Sequence, residues 1–140
     1  MQGCKELFVA IAVQQWEPMV KFYRHLLQQS PQPHIPNSYA EFMVGGLKLG
    51  LFLPKASHQP EFSHPAHSAM SLCLEVENLE QSCGMVDAVY DELYAGGYGS
   101  TDGHGRYGLI AIASHGRECY AYDPDGNRLI LHEAGSIIKT

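Results

Sequence analysis

The sequence lacks the long apolar stretch that a membrane-spanning helix requires. Such a helix needs about 20 consecutive apolar residues, and the apolar runs of this chain are far shorter. The first residues also show no basic segment followed by an apolar run, so we expect no signal peptide. These absences predict a cytoplasmic protein with no membrane partner.

Basic residues are scarce. The 140 residues include nine Lys and Arg against fifteen Asp and Glu, which gives a formal net charge of −6 at pH 7. Binding to nucleic acid requires a basic surface that neutralises phosphates. The composition therefore argues against nucleic acid as a partner, and the scattered positions of the basic residues argue against an anionic membrane surface.

Recognisable cysteine and phosphate motifs are absent. The four cysteines, Cys4, Cys73, Cys83 and Cys119, match neither a zinc site nor a CxxC redox pair. We expect them to be reduced thiols, as in cytosolic proteins. The glycine-dense stretch 96–105 contains no GxxxxGK[ST] phosphate loop, and no GxGxxG follows a strand.

What the sequence does contain is an internal repeat. Each half has the order strand, amphipathic helix, then strands joined by tight turns. We predict a single domain over residues 1–140, with a first βαβββ module at 5–54, a linker at 55–69 and a second module at 70–135. Strands are predicted at 7–13, 39–44, 47–53, 70–76, 108–113, 117–122 and 127–132, with a short edge strand near 34–35 and helices at 16–27 and 79–94.

Strand alternation predicts two faces for these strands. One face carries aliphatic residues that should contact a helix: Val9, Ile11, Val13, Leu49, Leu51, Leu53, Leu72, Leu74, Val76, Leu129 and Leu131. The opposite face is more polar: Phe8, Ala10, Ala12, Lys48, Gly50, Phe52, Ser71, Cys73, Glu75, Arg128, Ile130 and His132. If the strands join into one curved sheet with both helices on its convex side, the second set lines a concave face.

Three segments resemble a known superfamily. They are EPMVKFYRHLL in the first helix, CLEVENLEQ at the start of the second module, and HGRECYAYDPDGNRLILHE near the end. In this order and at these separations they resemble the vicinal-oxygen-chelate superfamily, which includes glyoxalase I, extradiol dioxygenases, and fosfomycin and bleomycin resistance proteins. The resemblance implies an α+β fold of two βαβββ modules that form a cup, and a homodimer whose modules pair within one chain or swap between two.

The resemblance also carries an expectation about metal. Metal-dependent relatives place a His or Glu ligand on each of four concave-facing strands. The corresponding positions here are Phe8, Gly50, Ser71 and Ile130, none of which is a metal ligand, and a shift of one residue does not supply one. We therefore predict that the protein holds no metal and no cofactor.

The polar face supplies the candidate site residues. A histidine near a carboxylate can act as a general base, which makes Glu75 and His132 weak catalytic candidates. Lys48 could hold an anionic group of a ligand, and Cys73 is interpreted as a small buried hydrophobe. Phe8, Phe52, Tyr120 and Tyr122 could stack a planar ligand or simply form core. The predicted ligand-binding set is Phe8, Ala10, Lys48, Gly50, Phe52, Ser71, Cys73, Glu75, Tyr120, Tyr122, Ile130 and His132.

Two histidine-containing stretches are weaker candidates. His58, His64 and His67 in the linker are interpreted as solvated, because Pro65 breaks any helix that would put two of the rings on one face. The glycine-rich loop at 99–106 is predicted to lie at the mouth of the cup. If it covers a ligand, then His104, Arg106 and Tyr107 are the groups to test.

Three functions remain open at this point. The first is binding of a small, partly aromatic or amphipathic molecule in the cup without a bound metal. The second is an enzyme, a glyoxalase-like lyase or a dioxygenase, that uses Glu75, His132 or a metal held by unexpected ligands. The third is a structural or regulatory protein with a filled cup. Fold alone does not choose among them.

Overall fold

The computed structural model describes residues 2–94 and 110–135, in which eight strands and two α-helices form an α+β fold of two βαβββ modules. The elements of the first module are β1 (Val9–Ala12), α1 (Trp16–Leu27), β2 (His34–Ile35), β3 (Tyr39–Val44) and β4 (Leu47–Phe52). Those of the second are β5 (Leu72–Glu75), α2 (Leu79–Leu93), β6 (Ala111–Ala113), β7 (Gly116–Tyr122) and β8 (Arg128–Ala134). Two 3-10 helices, Gln59–Phe62 and Pro65–His67, lie in the predicted linker.

Each module forms its own sheet. The strand orders are β1-β4-β3-β2 and β5-β8-β7-β6, so both sheets follow the sequence first, last, third, second. The first strand pairs in parallel with the last, and the other pairs are antiparallel. The sequence suggested that the strands of both modules could join into one curved sheet. The structure instead has two four-stranded sheets, because the strands of each module pair with one another.

The chain divides into two compact units, Met1–Ser63 and His64–Thr140. The division falls inside the predicted linker at 55–69. In the part of the chain that the structure describes, no helix combines the length and the apolar character needed to cross a membrane.

The core of the first unit lies between α1 and one face of its sheet. Helix α1 buries Trp16, Met19, Val20, Phe22 and Tyr23. On the sheet, the cross-strand pairs Phe42–Leu49 and Ala40–Leu51 are buried, and the Tyr23 and Phe42 ring centroids are 6.5 Å apart. The aliphatic face of β4 thus contacts the helix side, as strand alternation predicts.

The second unit repeats this arrangement. Helix α2 begins after Asn78, whose side chain accepts a hydrogen bond from the Gln81 amide at 2.9 Å, so the predicted cap is confirmed. The buried helix residues are Leu79, Cys83, Val86, Val89 and Tyr90. The buried strand residues are Cys119, Ala121, Leu129 and Leu131.

The turn between β7 and β8 is held by one buried carboxylate. Oδ1 of Asp123 accepts hydrogen bonds from the backbone amides of Asp125 and Asn127, and Oδ2 accepts one from the Asn127 side chain at 2.8 Å. Gly126 supplies the positive φ of +96° that the turn needs. The DPDGN segment therefore sets the antiparallel register in which β7 and β8 present their side chains.

A charged cluster joins α2 to the sheet of the second unit. The Arg117 guanidinium donates to Glu80 at the start of α2 and to Glu133 on β8, at 2.9 Å from Nη2 in each case. Glu133 also accepts from the Leu79 amide at 2.8 Å. Hydrogen bonds from Arg117 lower the pKa of Glu80 to about 2, and the bond from the Leu79 amide, followed by that from Arg117, lowers the pKa of Glu133.

These lowered pKa values predict a pH-dependent contribution to stability. A carboxyl group whose pKa is lower in the folded state stabilises the fold above its unfolded pKa, and the stabilisation is lost as pH falls through the folded value. We expect Arg117→Met to lower the free energy of unfolding at pH 7. The difference from wild type should shrink between about pH 5 and pH 2 in denaturant titrations.

Asn78→Ala is the control for this experiment, because it removes an uncharged contact at the same helix end. We expect it to cost about 1 kcal/mol, with little change in that cost over the same pH range. A difference between Arg117→Met and wild type that stays constant down to pH 2 would contradict the assigned pKa shifts.

Candidate functional site

One face of the second sheet carries most of the predicted site residues. We call it the Tyr120 face and define it by Ser71, Cys73, Glu75, Glu118, Tyr120, Tyr122, Arg128, Ile130 and His132. In the strand register, Ile130 lies between Cys73 and Tyr120, and His132 lies between Glu75 and Glu118. Tyr122 lies opposite Arg128, so both tyrosines share this face, which the sequence could not decide.

Glu75 and His132 form a direct pair. His132 Nδ1 is 2.6 Å from Glu75 Oε2. The histidine is 6% exposed although it lies on the polar face. An ionised carboxylate only accepts hydrogen bonds, so Nδ1 carries the proton and Nε2 has a free lone pair in the neutral ring. The structure brings the two weak catalytic candidates together, and their role in catalysis stays a prediction.

The turn between β6 and β7 adds two groups beside His132. The His115 ring stacks on the His132 ring with 4.5 Å between centroids. Glu118 is the cross-strand partner of His132. The sequence reasoning did not single out His115 or Glu118, because their proximity to His132 depends on the hairpin and its register rather than on spacing along the chain.

Tyr120 and Arg128 form an exposed cation–π pair. Tyr120 is 44% exposed, and the Arg128 guanidinium carbon is 5.5 Å from its ring centroid. Arg128 Nε donates to Ser71 Oγ at 2.7 Å, which orients the guanidinium. A half-exposed aromatic ring beside a positive charge can bind a planar or anionic group.

The first sheet has an equivalent face, which we call the Phe8 face: Phe8, Ala10, Lys48, Gly50 and Phe52. Phe8 is 42% exposed, and Lys48 Nζ lies 5.8 Å from its ring centroid. Lys48 also forms an ion pair with Glu6 at 2.9 Å. Lys48 and Arg128 occupy equivalent positions, because each comes one residue before the leucine that opens the parallel ladder of its module. Their aromatic partners differ in position, since Phe8 precedes β1 and Tyr120 lies on β7.

The four positions that hold metal in metal-dependent relatives do not fit a metal here. A Cβ at Gly50 would lie 2.9 Å from the Tyr39 hydroxyl, so the Tyr39 ring takes the space that a ligand side chain would need. That hydroxyl donates to Glu41 at 2.8 Å, and burial together with Glu41 raises the pKa of Tyr39 to about 12. Ser71 accepts the Arg128 hydrogen bond, and Phe8 and Ile130 have no ligand atoms.

The cysteines separate into two exposed and two buried thiols. Cys4 and Cys73 are exposed, which corrects the interpretation of Cys73 as a buried hydrophobe: β5 presents it on the open face of the sheet. Cys83 and Cys119 are buried with their sulfurs 3.1 Å apart between α2 and β7. Burial is the main cause that raises the pKa of Cys83, to about 12, and that of Cys119.

A cavity in the first unit was missed by the sequence reasoning. It is a partly open pocket of about 450 Å³, lined mainly by residues that follow β4 and by the linker, among them Val13, Leu53, Pro54 and Phe62. The rings of Phe52 and Phe62 meet edge to face, 5.7 Å apart. The linker carries no hydrophobic period, so nothing in its sequence indicates that it closes onto the sheet.

The linker histidines differ in part from expectation. His58, His64 and His67 are exposed. The rings of His64 and His67 nevertheless stack 5.8 Å apart, because Pro65 begins a 3-10 turn instead of preventing one. The loop candidates His104, Arg106 and Tyr107 lie outside the described residues.

Comparison with known families now identifies the chain. Residues 7–131 match the family model of the glyoxalase/bleomycin resistance protein/dioxygenase superfamily. The chain belongs to this superfamily. The resemblance to the vicinal-oxygen-chelate superfamily, inferred from three sequence segments, is therefore confirmed. No curated protein sequence matches the chain.

Solved structures of the superfamily share the fold. A bleomycin-binding protein in complex with bleomycin is 19% identical, with 94% of this chain and 100% of that chain covered and a TM-score of 0.63. A fosfomycin resistance protein from Mesorhizobium loti is 14% identical, with 96% and 95% covered and a TM-score of 0.61. A protein from Agrobacterium tumefaciens is 26% identical, with 92% and 96% covered and a TM-score of 0.61.

The positions of the thiols predict their reactivity. In native protein treated with an aromatic disulfide reagent, we expect Cys4 and Cys73 to react quickly and Cys83 and Cys119 slowly, with all four reacting after denaturation. Cys73 should react more slowly than Cys4, because partial burial and the charges of Glu75 and Glu118 raise its pKa.

Cys73→Ser should leave a single fast thiol in the native protein. The measurement is the absorbance of the released thiolate against time, at several pH values. Reaction of Cys83 at the rate of Cys73 would contradict the buried packing of α2 on β7.

Proposed function

We propose that this member of the superfamily binds a small planar or amphipathic molecule on its polar faces, without a metal at the four family positions. The observation that carries the proposal is the repeated pairing of an exposed ring with a cation, Phe8 with Lys48 and Tyr120 with Arg128. An accessible aromatic ring beside a cation offers a surface on which a planar or anionic group can stack.

The failure of the four family positions to fit a metal supports binding over metal-dependent chemistry. Tyr39 fills the space beside Gly50, and Ser71 is engaged with Arg128. A protein with these residues retains the fold while it lacks the usual metal ligands. One structural neighbour is a bleomycin-binding protein solved in complex with bleomycin, so bleomycin is the first probe.

The alternative is a glyoxalase-like lyase or a dioxygenase, and the observation that favours it is the 2.6 Å contact between Glu75 and His132. A general base must reach the proton that it removes. His132 Nε2 is buried and has no hydrogen-bond partner among the described residues, so it does not face a ligand on the open side. Binding is therefore the better-supported function.

The third hypothesis, a filled cup, is less consistent with the exposed rings of Phe8 and Tyr120. A cytoplasmic location and a homodimer remain part of the proposal. The unpaired state of all four cysteines fits a reducing compartment, and native mass spectrometry reports the oligomeric state together with any molecule that copurifies.

Fluorescence and calorimetric titrations with bleomycin and with anilinonaphthalene sulfonate, a planar anionic dye, test the proposal. We expect saturable binding of at least one of the two probes. Tyr120→Ala should weaken it about fivefold, because an aromatic contact contributes about 0.5–1.5 kcal/mol beyond its buried area. Arg128→Gln should weaken binding of the anionic dye while the fold is retained.

Ile35→Ala is the matched control, since Ile35 is also an exposed large apolar residue but lies on the edge strand β2. Its affinity should equal that of wild type. The proposal fails if neither probe binds, or if Tyr120→Ala and Ile35→Ala lose affinity equally.

A further inference from the structure

We propose that His115, Glu118 and His132 form a binding site for a first-row divalent metal ion, with Zn²⁺ as the reference ion. One ligand atom from each residue lies within 4.8 Å of the other two. None of the three residues stands at a family ligand position. The site goes beyond the proposed binding function, because it requires no organic ligand.

The ligand set has the chemistry that such ions prefer. Two imidazole nitrogens and one carboxylate oxygen bind zinc and related ions, with water completing the coordination. A tetrahedral ion with bonds of about 2.1 Å holds its ligand atoms about 3.4 Å apart. Because imidazole lone pairs lie in the ring plane and the His115 ring stacks on the His132 ring, the exposed His115 side chain must rotate to direct a nitrogen at the same ion, while the half-buried Glu118 moves closer.

An independent observation at His132 points to a missing ligand. The residue is 6% exposed, and its Nε2 atom is buried without a hydrogen-bond partner in the described part of the chain. A buried polar atom without a partner is destabilising. Coordination to a cation would satisfy the Nε2 lone pair that the structure leaves unpaired.

The contact between Nδ1 and Glu75 orients His132 for metal binding. Because Glu75 Oε2 accepts from Nδ1 at 2.6 Å, the neutral ring presents Nε2 as its lone-pair nitrogen. A metal-binding histidine commonly donates its second ring N–H to a carboxylate, which fixes the tautomer and the orientation of the ring. Glu75 therefore acts as a positioning residue and not as a ligand.

The backbone brings the hairpin turn close to His132 Nε2. The Gly135 amide donates to the His115 carbonyl oxygen at 3.2 Å, which holds the turn over the end of β8. A Cβ at Gly116 would lie 3.0 Å from His132 Nε2 and 2.1 Å from the Glu133 carbonyl oxygen, so glycine is required at this close approach. Nε2 is therefore directed toward the turn that carries His115.

The local charge also suits a cation. Glu75 and Glu118 flank His132 on the neighbouring strands. Among residues 2–94 and 110–135, neither carboxylate forms an ion pair with a lysine or an arginine. Arg117, next in sequence to Glu118, is directed instead toward Glu80 and Glu133. Neither carboxylate is neutralised by a lysine or an arginine in the described ranges, so together they can balance the charge of a divalent ion.

Zinc binding to untagged, metal-free protein tests the site, without any organic ligand. We expect one Zn²⁺ per chain in a competition titration with a chromophoric chelator. His115→Ala and Glu118→Gln should each lower the affinity at least tenfold, and Glu75→Gln should lower it by about 10- to 100-fold through the orientation of His132. Co²⁺ in place of Zn²⁺ should give visible d–d absorption bands that both ligand variants lose.

The control is the double variant His64→Ala with His67→Ala, which removes the stacked exposed pair of the linker. Its affinity should equal that of wild type. His115 is exposed and Glu118 half buried, so their variants should keep the fold, and circular dichroism checks this. The proposal is overturned by binding that is not stoichiometric, by unchanged affinity in His115→Ala and Glu118→Gln, or by loss of binding in the linker variant alone. If the protein does not bind zinc, the results expected from the bleomycin and dye titrations stay the same.

Discussion

The parallel pairing of the first strand of each module with its last strand determines where the candidate site residues lie. In the second module this pairing sets Cys73 against Ile130 and Glu75 against His132. The antiparallel partner β7 then adds Tyr120 and Glu118 on the same face. Since side chains alternate along a strand, a shift of one residue would send all of these groups to the helix side. The aliphatic residues Leu129 and Leu131, which are fully buried, hold the register in place.

The side chains at the four family positions distinguish this chain from its metal-dependent relatives. None of the four family positions offers a free metal-binding side chain. At Gly50, for example, the Tyr39 ring occupies the space that such a side chain would need. A short polar contact lies further along the same strand, where His132 follows Ile130 by two residues and is 2.6 Å from Glu75. Glu75, Glu118 and His132 therefore lie toward the hairpin between β6 and β7 rather than at the family positions.

Features that depend on local sequence could be predicted. Helix α1 begins and ends as its apolar spacing indicates, Asn78 caps α2, and the DPDGN turn forms around Asp123. The polar and aliphatic faces followed from alternation along each strand. These properties require only neighbours within a few residues, so the sequence contains them directly.

Features that depend on tertiary contacts could not be predicted. The approach of His115 to His132 arises from a turn held over β8 and from the lack of a side chain at Gly116. The filling of the Gly50 position arises from a tyrosine on the adjacent strand. The cavity beside Phe62 forms because an aperiodic linker folds back onto its sheet. None of these has a signal at a fixed sequence spacing.

The tautomer of His132 is the most direct test of the account, because the polar centre of the second sheet depends on the Glu75 contact. Long-range ¹H–¹⁵N correlation spectra of metal-free, ¹⁵N-labelled protein near neutral pH, assigned with Glu75→Gln and a His132 variant, distinguish the two ring nitrogens. The account predicts a protonated Nδ1 and an unprotonated Nε2 in wild type, with a change in tautomer population in Glu75→Gln. A proton held on Nε2, or a spectrum unchanged by Glu75→Gln, would contradict it.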